Sequence, residues 1–251
     1  MQRLWPEPLA GEITDADLER LYAYPENPTD PWVQVNFVSS ADGAVTIDNK
    51  SEGLSHPADK RVFLLGRDLA DVILVGAGTV RTEGYNGWKP GKARRERRER
   101  LGLSRVPPIA VVTGSANIDP ASPLLTDTWV PPIIITTARA PEKRRAALAE
   151  AGAQLIIAGE QLVDLRVALT ELAHLGLRRI DCEGGPHLFG ELIAEDLVDQ
   201  LCLTISPNLV GGGPDRIALG RLSSAPRRLE LASILHEDGF TMMRYRRAPD
   251  R

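Results

Sequence analysis

Short apolar runs that suit buried strands alternate with segments of helical period over most of the chain, and this alternation restricts the fold more than any other feature. The apolar runs lie at 32–40, 71–80, 108–113, 132–137, 153–158 and 179–183. Between or after these runs, helices are predicted at 55–70, 141–151, 162–175 and 187–194. Beyond them no helix is predicted, and three strands follow one another at 199–207, 227–237 and 239–247. The pattern predicts one α/β domain with a mostly parallel central sheet, finished by antiparallel strands.

Residues 1–30 precede this alternation and are predicted to be an N-terminal extension, followed by a single domain of residues 31–251. The extension contains one helix candidate at 14–24, and Thr14 or Asp15 is suited to cap its first turn. Prolines follow this candidate closely and end it, because proline has no backbone N–H to donate within a helix.

Composition restricts the possible function classes. A net charge of −4 over 251 residues argues against a general nucleic-acid binder, which is normally basic. No apolar run reaches the roughly 18 residues that a membrane helix needs, and the N-terminal residues lack the apolar segment of a signal peptide. Cys182 and Cys202 form no C-x-x-C pair. We therefore expect two reduced thiols in a cytoplasmic protein, with no metal site and no disulfide framework.

The run KPGKARRERRERLG, residues 89–102, carries charges of both signs at helical spacing. Such a pattern is typical of a solvated helix or loop whose charges pair three and four positions apart, and this is the preferred interpretation. A segment that grips a phosphate group is the alternative.

Two strand-to-helix turns are rich in glycine: Gly76, Gly78 and Thr79 form the first, and Gly184, Gly185 and Pro186 form the second. Glycine has no Cβ, so a ligand can approach its amide nitrogen closely. A helix N-terminus adds unpaired N–H groups and a partial positive charge. Two such turns in one α/β sheet favour a dinucleotide that lies across the carboxyl ends of the strands.

Neither turn matches the Rossmann fingerprint G-x-G-x-x-G. In the first turn, Val80 and Arg81 stand where the third glycine is due, and the two turns are far apart in the chain. The sequence therefore predicts a dinucleotide fold different from the doubly wound Rossmann type.

Four segments occur in a characteristic order: VNFVSSADGAV (35–45), DVILVGAGTV (71–80), CEGGPHLFGELI (182–193) and LVDQLCLTISPNLVGGG (197–213). Together they resemble the pyrimidine reductase of riboflavin biosynthesis, the C-terminal domain of the bifunctional deaminase–reductase, over residues 32–247. The resemblance implies the dihydrofolate-reductase-like three-layer fold and an NADPH-dependent enzyme, usually a homodimer. Such an enzyme reduces the ribosyl group of a 5-aminopyrimidine phosphate to a ribityl chain, by hydride transfer to an imine or carbonyl carbon. The sequence has no H-x-E or P-C-x-x-C pair, so no zinc deaminase chemistry is expected.

The resemblance also implies which residues form the site. Those implied for the cofactor are Gly76, Gly78, Thr79, Glu83, Gly159, Glu183, Gly184, Gly185, Pro186 and His187. Of these, Thr79 and Glu83 are expected near the adenosine half, and residues 183–187 near the diphosphate. Those implied for the substrate are Ser40, Asp42 and Arg67. Asp42 is the candidate catalytic residue, as a group that orients the substrate or relays a proton.

Several of these positions also have purely structural interpretations. Asp42 lies in Ala-Asp-Gly, a strong turn former, and accepts local amide hydrogen bonds readily. Glu183 is also suited to stabilise the positive end of a helix, and Thr79 to cap one. An ion pair between Arg67 and Asp71 is the preferred interpretation of those two charges.

The substrate side departs from the family pattern. Residues 81–90, RTEGYNGWKP, lack the expected D-P-x-L-x-x-R, and Leu64 and Leu65 fill the place of a histidine ahead of Arg67. Two alternatives therefore stay open: reduction of dihydrofolate or another pterin, and a nucleotide-binding module without catalysis. Arg81 and Arg139 are the candidates for the 2′-phosphate of NADPH, since a guanidinium grips phosphate bidentately.

Overall fold

The structure, a computed structural model, describes residues 1–8, 11–213, 216–221 and 225–248. The strands in these residues are β1 (Gln2–Trp5), β2 (Trp32–Ser40), β3 (Val72–Gly76), β4 (Ile109–Val112), β5 (Ile133–Thr136), β6 (Gln154–Ile157), β7 (Arg179–Cys182), β8 (Gln200–Ser206), β9 (Leu229–Glu237) and β10 (Phe240–Arg247). The helices are α1 (Asp15–Tyr22), α2 (Pro57–Leu69), α3 (Ala77–Glu83), α4 (Lys92–Arg100), α5 (Pro123–Thr126), α6 (Glu142–Glu150), α7 (Leu165–His174) and α8 (Pro186–Ala194). One turn of 3-10 helix at Glu52–Leu54 precedes α2.

All of these strands join one sheet in the order β1-β9-β10-β8-β2-β7-β3-β4-β5-β6. From β8 to β6 the neighbouring strands run parallel. The pairs β8–β10, β10–β9 and β9–β1 are antiparallel. The predicted class is confirmed: a mostly parallel sheet inside an α/β domain, with antiparallel strands at its C-terminal end. Among the described residues, no helix is long and apolar enough to cross a membrane.

Helices cover both faces of the sheet, because the central strands are apolar on both sides. On one face, Leu74 of β3 belongs to the same buried cluster as Leu172 of α7 and Leu192 of α8. On the other face, Ile134 of β5 packs in a cluster with Leu148 of α6. The carboxyl ends of the parallel strands therefore emerge between two layers of helices.

The N-terminal residues contribute to the same sheet. Strand β1 pairs with β9, with Arg3 opposite Leu235. Thr14 caps α1 in a capping box with Asp17, and Leu18 and Tyr22 of that helix are buried against α2. The segment expected as an extension thus adds an edge strand and a helix to the domain.

Helix α4 forms within residues 89–102 and pairs Lys92 with Glu96 four positions on, as the preferred sequence interpretation expected, but that interpretation was wrong for the side of the helix that carries Arg98. Arg98 is fully buried, at 0% exposure. Its guanidinium donates to the carbonyl oxygens of Arg67 (2.8 Å), Ala70 (2.7 Å) and Ser104 (2.6 Å). The last carbonyls of a helix have no partner inside the helix, and Arg98 supplies donors to those at the end of α2. Burial lowers the pKa of Arg98 to about 10.

Candidate active site

A cleft with a volume of about 1570 Å³ lies along the carboxyl ends of the parallel strands. The ends of β2, β3 and β4 contribute to it, together with the residues that follow β7. Helix α2 lines one side and the start of α8 lines another. Open α/β sheets place their ligands at this edge, so the cleft is the candidate active site. Within the described residues, no three acidic, histidine or cysteine side chains are grouped to hold a metal ion.

The two glycine turns meet in this cleft. The amide nitrogen of Gly76 donates to the carbonyl oxygen of Gly184 at 2.7 Å. A Cβ added to Gly185 would lie 2.5 Å from Thr79 Oγ1, so a larger residue does not fit there without movement. Gly184 has φ +79°, a left-handed conformation that favours glycine, and its peptide bond to Gly185 is cis. The turns predicted separately from the sequence therefore form one bare backbone surface.

Helix α8 begins directly at this surface. Gly185 is its N-cap and Pro186 its first residue, and Gly185 makes no side-chain capping bond. The first N–H groups of a helix have no partner within the helix, and they carry partial positive charge. The start of α8 therefore suits an anionic group such as a phosphate.

A buried ion pair stands beside the glycine turns. Arg67 of α2 donates to both carboxylate oxygens of Glu183, at 2.5 and 2.7 Å. The hydroxyl of Tyr85 donates to Glu183 Oε2 at 2.6 Å. The Arg67 guanidinium also lies over the rings of Phe63 (4.8 Å) and Trp88 (4.6 Å). The ion pair expected between Arg67 and Asp71 was therefore wrong, because the acid that pairs with Arg67 is Glu183. Asp71 instead accepts from the backbone amides at 178 and 179.

Asp181 lies beneath this pair on β7 and is fully buried. Burial raises its pKa to about 8, and the nearby Glu183 carboxylate adds to the increase. Gln34 donates to Asp181 Oδ1 at 3.1 Å, whereas Oδ2 has no partner among the described residues. A carboxyl group in these surroundings keeps its proton at neutral pH.

We expect the free energy of unfolding to fall as the pH rises from about 4 towards 8, partly because of Asp181. The unfolded chain releases this proton near the ordinary value of 3.8, but the folded protein retains it up to about 8. The folded state therefore binds more protons across this window, so raising the pH favours unfolding. Asp181→Asn cannot ionise and should reduce the slope. Urea unfolding of the wild-type chain and of Asp181→Asn, at about pH 5 and pH 8, measures how the free energy of unfolding depends on pH. Identical slopes would contradict the assignment.

The α2 side of the cleft carries a further buried carboxyl group. Asp59 of α2 lines the cleft and accepts from Ser55 Oγ, with Oδ2 at 2.5 Å. Burial raises its pKa above the usual value, against the effect of its hydroxyl partners Ser55 and Thr204. Asn36 of β2 lines the same cleft. Its amide nitrogen is buried and has no hydrogen-bond partner among the described residues.

Most of the residues expected in the site line the cleft: Arg67, Gly76, Gly78, Thr79, Glu83, Glu183, Gly185, Pro186 and His187. The residues expected there that do not line it are Ser40, Asp42, Gly159 and Gly184. Gly184 still supports the cleft through its bond to Gly76. Glu83 accepts from the backbone amide of Ser51 at 3.0 Å, which ties α3 to the loop after β2.

Asp42 has structural partners in the turn after β2. Its carboxylate accepts from Ser40 Oγ (2.5 Å), from the amide of Gly211 (2.7 Å) and from the amide of Val210 (3.2 Å). These hydrogen bonds, that of Ser40 foremost, lower the pKa of Asp42 to about 2. It is therefore ionised at neutral pH and ties the turn to the segment after β8. A catalytic role for Asp42 stays a prediction.

Asp59, Asn36 and Tyr85 line the cleft but were not predicted from the sequence. Asp59 carried a usable signal, because it falls on the buried stripe of α2 with Val62 and Gly66, at spacings of three and four. A carboxylate on an apolar stripe indicates a group kept for binding or chemistry. Asn36 lies inside an apolar strand run, which is a weaker signal of the same kind.

Curated relatives of this chain are reductases. It is 29% identical to the 2,5-diamino-6-ribosylamino-4(3H)-pyrimidinone 5′-phosphate reductase of Aquifex aeolicus, over 72% of this chain and 79% of that protein. It is 31% identical to the enzyme of that name from Methanothermobacter thermautotrophicus, over 72% and 80%.

Solved structures agree on the architecture. A pyrimidine reductase-like protein from Corynebacterium diphtheriae is 26% identical and superposes with a TM-score of 0.80, over 93% of this chain and 99% of that one. The riboflavin biosynthesis reductase of Saccharomyces cerevisiae shares the fold, with a TM-score of 0.63, 20% identity and coverage of 92% and 97%.

The fold, the cleft and these relatives define an oxidoreductase, specifically a reductase of riboflavin biosynthesis type. Residues 31–239 match the RibD C-terminal domain, and the chain belongs to that family. The family predicted from the four sequence segments is confirmed.

Proposed function

We propose that the chain reduces a ribosylaminopyrimidine 5′-phosphate to its ribitylamino form with NADPH. The observation that carries this proposal is the meeting of the two glycine turns beside the Arg67–Glu183 pair, within one cleft. The relatives named for this reaction give the substrate class.

The glycine turns suit the diphosphate of a nicotinamide dinucleotide. Gly78 has no other group within 4 Å of an added Cβ, so its backbone is open to the cleft. Gly185 presents its backbone on the opposite turn, with the start of α8 behind it. The exposed backbone of these glycines is thus where the anionic diphosphate would lie. Thr79 stands between the two turns and offers its hydroxyl to the same group.

The 2′-phosphate that distinguishes NADPH from NADH needs a cation. Arg81 lines the cleft, and its guanidinium donates to the carbonyl oxygen of Asn117 at 3.1 Å. Arg139, the other candidate, does not line the cleft and pairs with the side chain of Gln161. Arg81 is therefore the proposed 2′-phosphate ligand.

When bound, NADPH supplies a hydride that reduces C1′ of the opened ribosyl imine, while the adjoining nitrogen takes up a proton. The residues of this chain then orient the substrate and exclude water. Lys60 lines the cleft on the α2 side, and its only ion pair among the described residues is a long one to Glu52, at 3.5 Å. It is the proposed partner of the 5′-phosphate. Arg67 and Glu183 form a rigid polar wall for the ribosyl group.

A homodimer in the cytoplasm completes the proposal. Leu4 and Trp5 of the edge strand β1 are 45% and 46% exposed, and an edge strand with exposed apolar side chains is suited to pair with a second copy. Two buried free cysteines agree with a reducing compartment.

The test is an absorbance assay of NADPH oxidation by the purified chain with three substrates: 2,5-diamino-6-ribosylaminopyrimidinone phosphate, its uracil counterpart and dihydrofolate. Turnover of a ribosylaminopyrimidine phosphate is expected, with NADPH preferred to NADH. Turnover of dihydrofolate alone selects a pterin reductase. Saturable NADPH binding with no turnover selects a binding module, and either result overturns the proposal.

Gly185→Ala tests where the coenzyme lies. The new methyl group would overlap Thr79 Oγ1, so the two turns must separate. We expect NADPH affinity to fall about 10- to 100-fold, as for other overpacked sites. Gly91→Ala is the matched control, because a Cβ at Gly91 meets nothing within 4 Å. Titration of NADPH by fluorescence compares the two. Equal affinities would place the diphosphate elsewhere.

A further inference from the structure

We propose that Asp59 and Asn36 recognise the pyrimidine ring of the substrate and select a 2-amino-4-pyrimidinone over the corresponding uracil. This inference rests on the proposed function and names the substrate more closely. Similar proteins are named for substrates with one or the other of these rings. The Aquifex aeolicus relative is named for the 2,5-diamino pyrimidinone, and a Thermotoga maritima protein of the same fold for a uracil.

The Asp59 carboxylate is buried in the cleft wall without a cation. It is 6% exposed, and the two basic residues beside it in the chain have other partners. Neither forms an ion pair with Asp59 among the described residues: Lys60 makes its long contact with Glu52, and His56 caps α2 through Nδ1 and faces Asp238 through Nε2. Asp59 accepts a hydrogen bond from the neutral hydroxyl of Ser55, and the hydroxyl of Thr204 also acts to lower its pKa. A buried carboxylate needs N–H or O–H donors, and Asp59 lines the cleft, where a ligand can supply them.

Asn36 supplies the opposite kind of group. It is 8% exposed, and its amide nitrogen has no acceptor among the described residues, although it lines the cleft. On parallel strands β2 and β8, Asn36 lies opposite Cys202 and Val38 opposite Thr204. Alternate residues of a strand share a face, so Asn36 is on the same side of the sheet as Thr204, the hydroxyl that acts on the pKa of Asp59. The wall thus presents an acceptor and a donor that both lack a complete set of partners.

The 2-amino-4-pyrimidinone ring has the complementary edge. Its 2-amino group and N3–H are adjacent donors, and its 4-oxo group is an acceptor. A carboxylate accepts from both donors at once, as it does from a guanidinium, and an amide N–H donates to the oxygen. In a uracil the 2-amino group is replaced by a carbonyl oxygen. Its lone pairs would face the Asp59 carboxylate, so this base is repelled as well as deprived of a hydrogen bond.

The variants separate the two roles. Asp59→Asn keeps the shape of the side chain, and its amide can donate to the 2-oxo group and accept from N3–H. It should lower kcat/KM for the 2-amino substrate and reduce the preference over uracil about 10- to 100-fold, the usual range for a hydrogen bond to a charged group. Asn36→Ala should lower kcat/KM for both substrates by similar factors, because both carry the 4-oxo group. Asp164→Asn is the control, since it lines the same cleft as a helix cap, which asparagine serves equally well.

The experiment measures kcat/KM for the two ribosylamino phosphates with the wild-type chain and these variants. It also measures equilibrium binding of the free rings, 2,6-diamino-4-pyrimidinone and 6-aminouracil, by calorimetry. The wild-type chain should prefer the 2-amino compound at least about tenfold in both measurements. A preference for uracil, or an unchanged ratio in Asp59→Asn, overturns the inference while the reductase function stands. If neither ribosylamino phosphate is turned over, the proposed function is overturned. The ratio of the affinities for the two free rings then tests the recognition by Asp59 and Asn36 on its own. If Asp59→Asn does not fold, equal losses in Asn36→Ala support the inference, and a changed ratio there overturns it.

Discussion

Arg67→Met should remove most of the reductase activity and destabilise the protein by about 3–5 kcal/mol, the usual cost of breaking a buried ion pair from one side. The methionine stem still fills the space between Phe63 and Trp88, so the loss is mainly electrostatic. The Glu183 side chain, which is 1% exposed, would keep one donor, the hydroxyl of Tyr85. Its carboxylate would then carry an uncompensated charge close to the buried Asp181, with which it already interacts electrostatically. Urea unfolding measures the loss of stability, and kcat/KM the loss of activity.

The double variant Arg67→Met/Glu183→Gln separates the two effects. It removes both charges, so most of the lost stability should return, because a buried pair replaced by neutral groups is often neutral in energy. Activity should stay low, since the polar wall of the cleft is gone. A double variant as unstable as the single one would show that packing, rather than charge, explains the result.

The strands of the central sheet could be predicted because their signals are local. The run Val72–Gly76 is apolar on both faces and ends in glycine, which is typical of a buried parallel strand. Strand β1 could not be predicted in this way. It has four residues, two of them polar, and it forms only by pairing with β9, more than two hundred positions away. Pairing at such a distance leaves no trace in the local sequence pattern.

In the candidate site, too, the features with a local sequence signal could be predicted and those formed by distant residues could not. The glycine turns could be predicted, because a backbone that must stay bare requires glycine at the position itself. The partner of Arg67 could not, because Glu183 is 116 positions away and Asp71 is four. Proximity in the sequence favoured the wrong acid. The physical reason is that Asp71 is used by the backbone amides that start β7, while the end of β7 carries Glu183 to the cleft beside α2.

The same limit applies to helix α4. Charged residues occupy every face of this helix, so the sequence has no apolar stripe to show which side is buried. Arg98 is buried because it donates to the carbonyl oxygens at the end of α2. These carbonyls have no partner inside α2, since the helix ends there. Arg94 and Arg97 join it by pairing with the buried carboxylate of Asp68.

Arg98→Met should therefore destabilise the protein by about 3–5 kcal/mol, although it replaces one of several arginines in a highly charged segment. Several carbonyl oxygens would lose their donor inside the protein, and each buried acceptor left without one costs about 1–3 kcal/mol. Some of that cost is recovered, because the buried guanidinium no longer has to be desolvated. Helix α2 carries Asp59 and Arg67, so loosening its end should also lower kcat.

Arg100→Met is the matched control on the same helix. Its guanidinium is 59% exposed and pairs with Glu19 at 2.8 Å, and an exposed ion pair is worth about 0–1 kcal/mol. Urea unfolding of the two variants compares a buried with an exposed arginine two positions apart. A solvated helix predicts equal and small losses for both. The hydrogen bonds of Arg98 predict a difference of at least about 2 kcal/mol between the two variants. Activity should fall in Arg98→Met and not in Arg100→Met, because Arg98 contacts the end of α2 and Arg100 pairs with Glu19 instead.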